Sequence, residues 1–164
     1  MRGPSRIASA FAMTVCSLVA AQPAQAVSGG TETIAVIYWF VQNQGTGRCL
    51  AVDQLEPVGE VSMGSCGSGE SIQWHWVNSS WNDGYRLLKN RISGGCLVST
   101  SPVKMGTCED WTSRHWKKID WGDGLYQLVS DQTDGYLYDG ETPDGFVYTG
   151  VVGGKTARWL IREA

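Results

Sequence analysis

The sequence predicts an all-β domain built from three copies of one four-strand unit. Two observations carry this expectation, a recurring set of landmarks and a lack of helical periodicity. Tyr38, Gly47, Cys49, Leu50, Cys66 and Trp74 mark the first copy, and Tyr85, Gly94, Cys96, Leu97, Cys108 and Trp116 mark the second. Tyr126, Gly135, Leu137, Val151 and Trp159 mark the third. In every copy the glycine follows the tyrosine by nine residues, and the tryptophan follows the second cysteine, or Val151, by eight. A period of 47 and then 41 residues belongs to architectures whose units cannot bury their apolar face alone. No window of ten or more residues shows the 3.6-residue period of an amphipathic helix.

The front of the chain reads as a separate element. Arg2 and Arg6 precede an uncharged apolar run from Ile7 to Ala21, and Ala24-Gln25-Ala26 is a small-residue cleavage site. This is the pattern of a secretory signal peptide over residues 1–26, cut near Ala26. The rival reading, a membrane anchor, needs ~20 apolar residues, and the run falls short. The expected product is therefore secreted, with residues 27–35 as a polar leader and one domain over 36–164. Repeats are expected at about 36–82, 83–122 and 123–164.

Removing the signal leaves 11 basic against 16 acidic residues. An acidic chain without a basic cluster argues against nucleic-acid binding and against attraction to anionic membranes, and no later segment is expected to insert in a bilayer. Cys16 falls in the signal, so Cys49, Cys66, Cys96 and Cys108 remain. An even count in an exported chain implies disulfides, with three connectivities open. The repeat selects Cys49–Cys66 and Cys96–Cys108, because these occupy matching places; Leu137 and Val151 would be the third copy's apolar replacement. Zinc is the alternative for four cysteines, but neither a CxxC nor a paired-histidine motif is present, so no metal or cofactor is expected.

Taken in order, the residues from Thr33 to Val41 are β-branched or aromatic and read as a first strand. In the middle copy, strands are expected near 85–89, 96–99, 102–106 and 114–119. The joints Asp83-Gly84 and Asp123-Gly124 signal tight hairpin turns, since both residue types tolerate positive φ. Trp74, Trp116 and Trp159, with the tyrosines at 38, 85 and 126, are expected in the core, as are Phe40, Leu87 and Leu128. Burying one indole of ~200 Å² is worth a gross ~5 kcal/mol. Trp39, Trp76 and Trp111 lie outside the pattern, and Trp39, between Tyr38 and Phe40, is expected to point away from the core.

Three four-strand copies with a Gly-x-Cys-Leu segment, a second cysteine and a closing tryptophan resemble the ricin B-type lectin domain. The resemblance spans 36–163 and implies a β-trefoil of three pseudo-threefold-related repeats. It also implies a sugar site in which an aspartate lies two residues after the first cysteine. In that pattern a ring sits near the second cysteine, and Asn-Gln leads into the closing Trp. The carboxylate would accept from sugar hydroxyls while the ring covers the C–H face.

Measured against that pattern, copy one has Ala51, with Asp53 two further on, and Gly64. Copy two has Val98 and Gly106, and none of the closing segments carries Asn-Gln. Copy three has Asp139 and Tyr148, so these two are the expected sugar-binding residues; the plain alternative for Asp139, beside Gly140, is a turn.

Catalysis has little support. His75 and His115 each adjoin a closing Trp, and no Gly-x-Ser-x-Gly or His-Glu-x-x-His motif occurs; a glycosidase couple would have to come from carboxylate pairs such as Asp139 and Asp144. The expected function is a secreted, non-catalytic, carbohydrate-binding module with a glycan as partner. The alternative is a trefoil that has lost sugar binding and docks a protein, as a toxin-targeting subunit or an inhibitor.

Overall fold

The computed structural model describes residues 35–53, 55–81 and 84–164. The expected signal peptide, its cleavage site and nearly all of the leader lie outside the described residues, as does Asp83 of the first joint. The described chain forms twelve strands, four per copy. The first copy supplies β1 (Trp39–Asn43), β2 (Cys49–Val52), β3 (Gly59–Gly64) and β4 (Gln73–Asn78). The second supplies β5 (Arg86–Asn90), β6 (Cys96–Val98), β7 (Lys104–Gly106) and β8 (His115–Asp120). The third supplies β9 (Leu125–Ser130), β10 (Tyr136–Asp139), β11 (Val147–Gly150) and β12 (Trp159–Glu163). The only helical turns among the described residues are short 3₁₀ segments at Glu70–Ile72, Thr112–Arg114 and Lys155–Ala157, each entering the last strand of its copy.

The antiparallel pairings β1–β4, β4–β5, β5–β8, β8–β9, β9–β12 and β12–β1 close six strands into a ring. The other six strands form the hairpins β2–β3, β6–β7 and β10–β11. The hairpins meet one another. Gly59 and Glu60 pair with Met105 and Lys104, Met63 N–H donates to Gly145 O, and Val103 N–H donates to Val147 O. A six-stranded barrel capped at one end by three hairpins is the β-trefoil, and closing the ring leaves no long unpaired edge.

The core is threefold in its details. Trp74, Trp116 and Trp159 are fully buried, and their indole N–H groups donate to Leu50 O, Leu97 O and Leu137 O, each at 2.9 Å. Each tryptophan therefore ties the last strand of its copy to that copy's own hairpin. Leu87 and Leu128 are buried, while Tyr38, Tyr85 and Tyr126 are half-buried. Disulfides join Cys49 to Cys66 and Cys96 to Cys108, with Cα–Cα distances of 5.1 and 5.0 Å.

Three expectations need correction. First, Trp39 faces inward. The inward residues of β1 are Trp39, Val41 and Asn43, and Trp39 packs on the main core, while Phe40 packs on a side cluster of Cys49, Ala51 and Ile72.

Second, the third copy runs one residue out of step with the spacing read from sequence. The N–H groups of Asn43, Asn90 and Ser130 donate to the carbonyls of Arg48, Gly95 and Gly135, and their own carbonyls accept from Gly47, Gly94 and Asp134. The left-handed turn residue is therefore glycine in two copies, at φ 70° and 66°, and Asp134 at φ 53° in the third. Aspartate reaches this region more readily than most side chains. Gly135 thus matches Arg48 and Gly95, and Leu137 matches Leu50 and Leu97 rather than the cysteines.

Third, Val151 is 93% exposed, so no apolar pair replaces the third bridge.

Candidate functional site

The third hairpin holds the residues singled out by sequence, and it separates them. Asp139 pairs with Val147 across β10–β11, and Tyr138 pairs with Tyr148. Alternation along the strand then sends Tyr138 and Tyr148 to one face and Asp139 to the other. The two tyrosine rings stack at 5.8 Å between centroids and 28° between planes. Both rings are half-buried, and each lies over a glycine. A Cβ on Gly140 would stand 2.5 Å from the Tyr148 ring, and one on Gly150 would stand 3.3 Å from the Tyr138 ring. The bare backbone at these two positions is what lets the rings lie flat along the hairpin.

Asp139 is buried in a different setting. Its side chain has no exposed surface, and Arg48 Nη2 donates to Oδ1 at 2.8 Å and to Oδ2 at 3.0 Å. Thr46 Oγ1 donates to Oδ2 at 2.7 Å, and the Glu141 N–H donates to Oδ1 at 2.9 Å. Thr46 in turn lies within reach of Asn43 Oδ1, which caps the first copy's turn by accepting from the Gly45 and Thr46 N–H groups. The carboxylate therefore binds the third hairpin to the first copy's turn, and a sugar hydroxyl would have to displace Arg48 or Thr46 to reach it.

The register gives the reason. By position in the fold, Asp139 matches Val52 and Ser99, which are also buried, and Tyr138 matches Ala51 and Val98. The residue two after the first cysteine is thus represented in the third copy by Tyr138. Counting from Gly135 gives that place to Asp139 and leaves Tyr138 only as a ring near it. The Asp134-Gly135 pair, an aspartate where the other copies have glycine, was the available signal. The matching cross-strand pairs in the other copies are Ala51–Ser62 and Val98–Lys104, so among the described residues the aromatic pair occurs in the third hairpin alone.

Two other carboxylates named from the sequence lie elsewhere. Asp53, exposed, accepts from Ser62 Oγ at 3.3 Å. The Thr142 hydroxyl, followed by the Phe146 N–H, keeps Asp144 below the ordinary carboxylate range. A glycosidase acid requires the opposite shift. At the second copy, His115 is fully buried, with Nε2 2.5 Å from Asp110 Oδ1 and Nδ1 3.4 Å from Asp131 Oδ2. Ser79 Oγ lies 3.3 Å from the same Nε2, and Asp110 also accepts from the Ser80 N–H and hydroxyl. This network ties the joint after β4 to the loop before β8.

No family model matches the chain, and no curated protein matches it in sequence. Solved structures do match. The designed threefold-symmetric protein ThreeFoil superposes with a TM-score of 0.70 at 23% identity, covering 77% of this chain and 99% of that one. SeviL, solved bound to asialo-GM1 saccharide, gives 0.64 at 14% identity over 79% of this chain and 99% of its own. The exo-β-1,3-galactanase 1,3Gal43A from Clostridium thermocellum gives 0.72 at 20% identity over 80% of this chain. The match spans only 31% of the galactanase. At these identities the likeness is one of fold, and the fold shared is the β-trefoil.

Proposed function

We propose that this chain is a secreted, non-catalytic carbohydrate-binding module of the ricin B type, and that its third hairpin is the sugar-binding element. The stacked Tyr138–Tyr148 pair carries the reading. Two half-exposed phenol rings side by side present apolar faces to sugar C–H groups and hydroxyls to sugar oxygens. Asp139, behind them, keeps the hairpin in position through Arg48 and Thr46. Two disulfides are in keeping with secretion, and SeviL supports the reading as a trefoil solved with a saccharide.

The test is a titration of galactose-containing saccharides and a broad glycan panel, followed by intrinsic fluorescence. A saturable response that Tyr148→Ala abolishes, in a protein that still melts cooperatively, is the expected result. A flat response across the panel removes the proposal.

A second reading, a protein-docking trefoil, is favoured by one observation. Trp81, Trp111 and Trp121 are 52%, 60% and 51% exposed, which is unusual for indoles outside contact surfaces. Capture of a defined protein partner that excess sugar fails to displace would support it over the first.

A further inference from the structure

The barrel end opposite the hairpins breaks the threefold pattern in one copy only. Three positions there come from the first strand of each copy. Trp39 pairs with Trp74, Arg86 with Trp116 and Tyr126 with Trp159, so Trp39, Arg86 and Tyr126 are equivalent. Three more lie two residues beyond the buried tryptophans. Trp76 pairs with Leu88, Lys118 with Leu128 and Ile161 with Val41, which makes Trp76, Lys118 and Ile161 equivalent. Four of these six are apolar; Trp39, Trp76 and Tyr126 pack against the core and Ile161 belongs to it. The two exceptions, Arg86 and Lys118, are both cations and both from the second copy.

Among the described residues neither Arg86 nor Lys118 forms an ion pair, in a protein whose net charge is −3. A cavity of about 330 Å³ opens between them, and its lining among the described residues is Trp76, Gly84, Arg86, Trp116, Lys117 and Lys118. Lys118 Nζ lies 5.6 Å from the Trp76 ring centre and 4.9 Å from that of Tyr126. Lys117 Nζ stands 5.6 Å from the Tyr85 ring on the neighbouring face. Burial, and then the charge of Arg86, lower the Lys118 pKa, and Asp120 only partly opposes them. Like charges placed together at an otherwise apolar position repel, and an anion seated between them relieves that repulsion.

We propose that this end of the barrel binds an anionic saccharide, with Arg86 and Lys118 on its sulfate or carboxylate and Trp76 against its ring. A guanidinium fork matches the oxygens of either anion, and the ammonium adds a point charge beside it. The cavity volume suits one sugar residue. The site is separate from the Tyr138–Tyr148 face. Its anion half stands on the two cations at otherwise apolar positions beside this cavity, and its saccharide half rests on the carbohydrate-binding reading above.

Three probes test it by tryptophan fluorescence and calorimetry: N-acetylglucosamine 6-sulfate, N-acetylglucosamine and inorganic sulfate. The sulfated sugar is expected to bind at least about tenfold tighter than either other probe, the difference one charge-assisted hydrogen bond supplies. Its affinity should fall as salt rises. Arg86→Gln and Lys118→Met should each weaken it by about tenfold while melting as cooperatively as the parent.

Equal affinity for the sulfated and neutral sugars, or retention of affinity in both variants, overturns the proposal. Inorganic sulfate binding as tightly as the sulfated sugar overturns the saccharide half. Tyr148→Ala separates the two sites: loss of the neutral-sugar response alone leaves this proposal standing, whereas loss of the sulfated sugar's binding assigns that ligand to the third hairpin and overturns it.

Discussion

Arg48 of the first copy reaches Asp139 of the third with one nitrogen placed at 2.8 and 3.0 Å from its two carboxylate oxygens, on a side chain with no surface open to water. Removing either partner should have unequal effects. Arg48→Met strands a buried carboxylate and should cost about 3–5 kcal/mol. Asp139→Asn leaves a cation that is 32% exposed and can turn to solvent, and should cost about 1–3 kcal/mol. Urea unfolding of the two variants checks the order. If Asp139→Asn matched the parent in stability, the ion pair would not be what fastens the hairpin to the first copy.

The three indole-to-carbonyl bonds make a second prediction. Trp116→Phe removes part of the buried ring and leaves Leu97 O without its donor, so it should cost about 2–3 kcal/mol. Trp74→Phe and Trp159→Phe should cost similar amounts, because Leu50 O and Leu137 O lose the same 2.9 Å bond. Thermal melts of the three single variants measure this, and a spread much wider than the variation among cores would show that the copies are not energetically equivalent.

Asp110 gives a pH dependence with a definite sign. The Ser80 hydroxyl, and then the Ser80 N–H and His115, hold its carboxyl far below the ordinary range. A depressed folded-state pKa contributes stability that is complete above the unfolded value of about 3.9 and lost as the pH falls through the folded value. Unfolding midpoints followed from pH 5 to pH 2 should therefore drop more steeply for the parent than for Asp110→Asn. Parallel curves would show that the carboxylate gains nothing from Ser80 and His115 on folding.

The disulfides close loops of 17 and 12 residues. In the chain-entropy picture each is worth roughly 3 kcal/mol, so replacing Cys96 and Cys108 by serine together should lower stability by about that much. The third hairpin, which has no bridge, is the internal comparison, and hydrogen exchange of β10–β11 should be the same with and without reductant.

How far the residues disclosed this molecule can be judged position by position. The buried tryptophans and the four-strand unit were legible, because an indole needs both a core and an acceptor and so recurs at a fixed distance from its partner strand. The register of the third copy was not. A left-handed turn can be made by Asp134 as well as by Gly47 or Gly94, so counting from glycine placed Asp139 one residue away from its true equivalent. Trp39 was misjudged for a related reason. Alternation fixes that Trp39 and Phe40 face opposite ways without saying which way is in, and the strand's two neighbours in the ring decided it. The cations at 86 and 118 became visible only once the three copies could be overlaid by pairing.

One property of the ring bears on how the polypeptide is put together. β1 pairs along its whole length with β12, from Trp39 opposite Glu163 to Asn43 opposite Trp159, and Ala164 N–H donates to Tyr38 O at 3.0 Å. The barrel is sealed by its own first and last strands, so where the chain begins is a matter of covalent order rather than of architecture. A permuted polypeptide, tied from 164 back to the start of β1 and cut between β8 and β9, would keep every strand pair and lose only the one hairpin joint it opens. Folding of that permutant would show that the third copy can come first as well as the first.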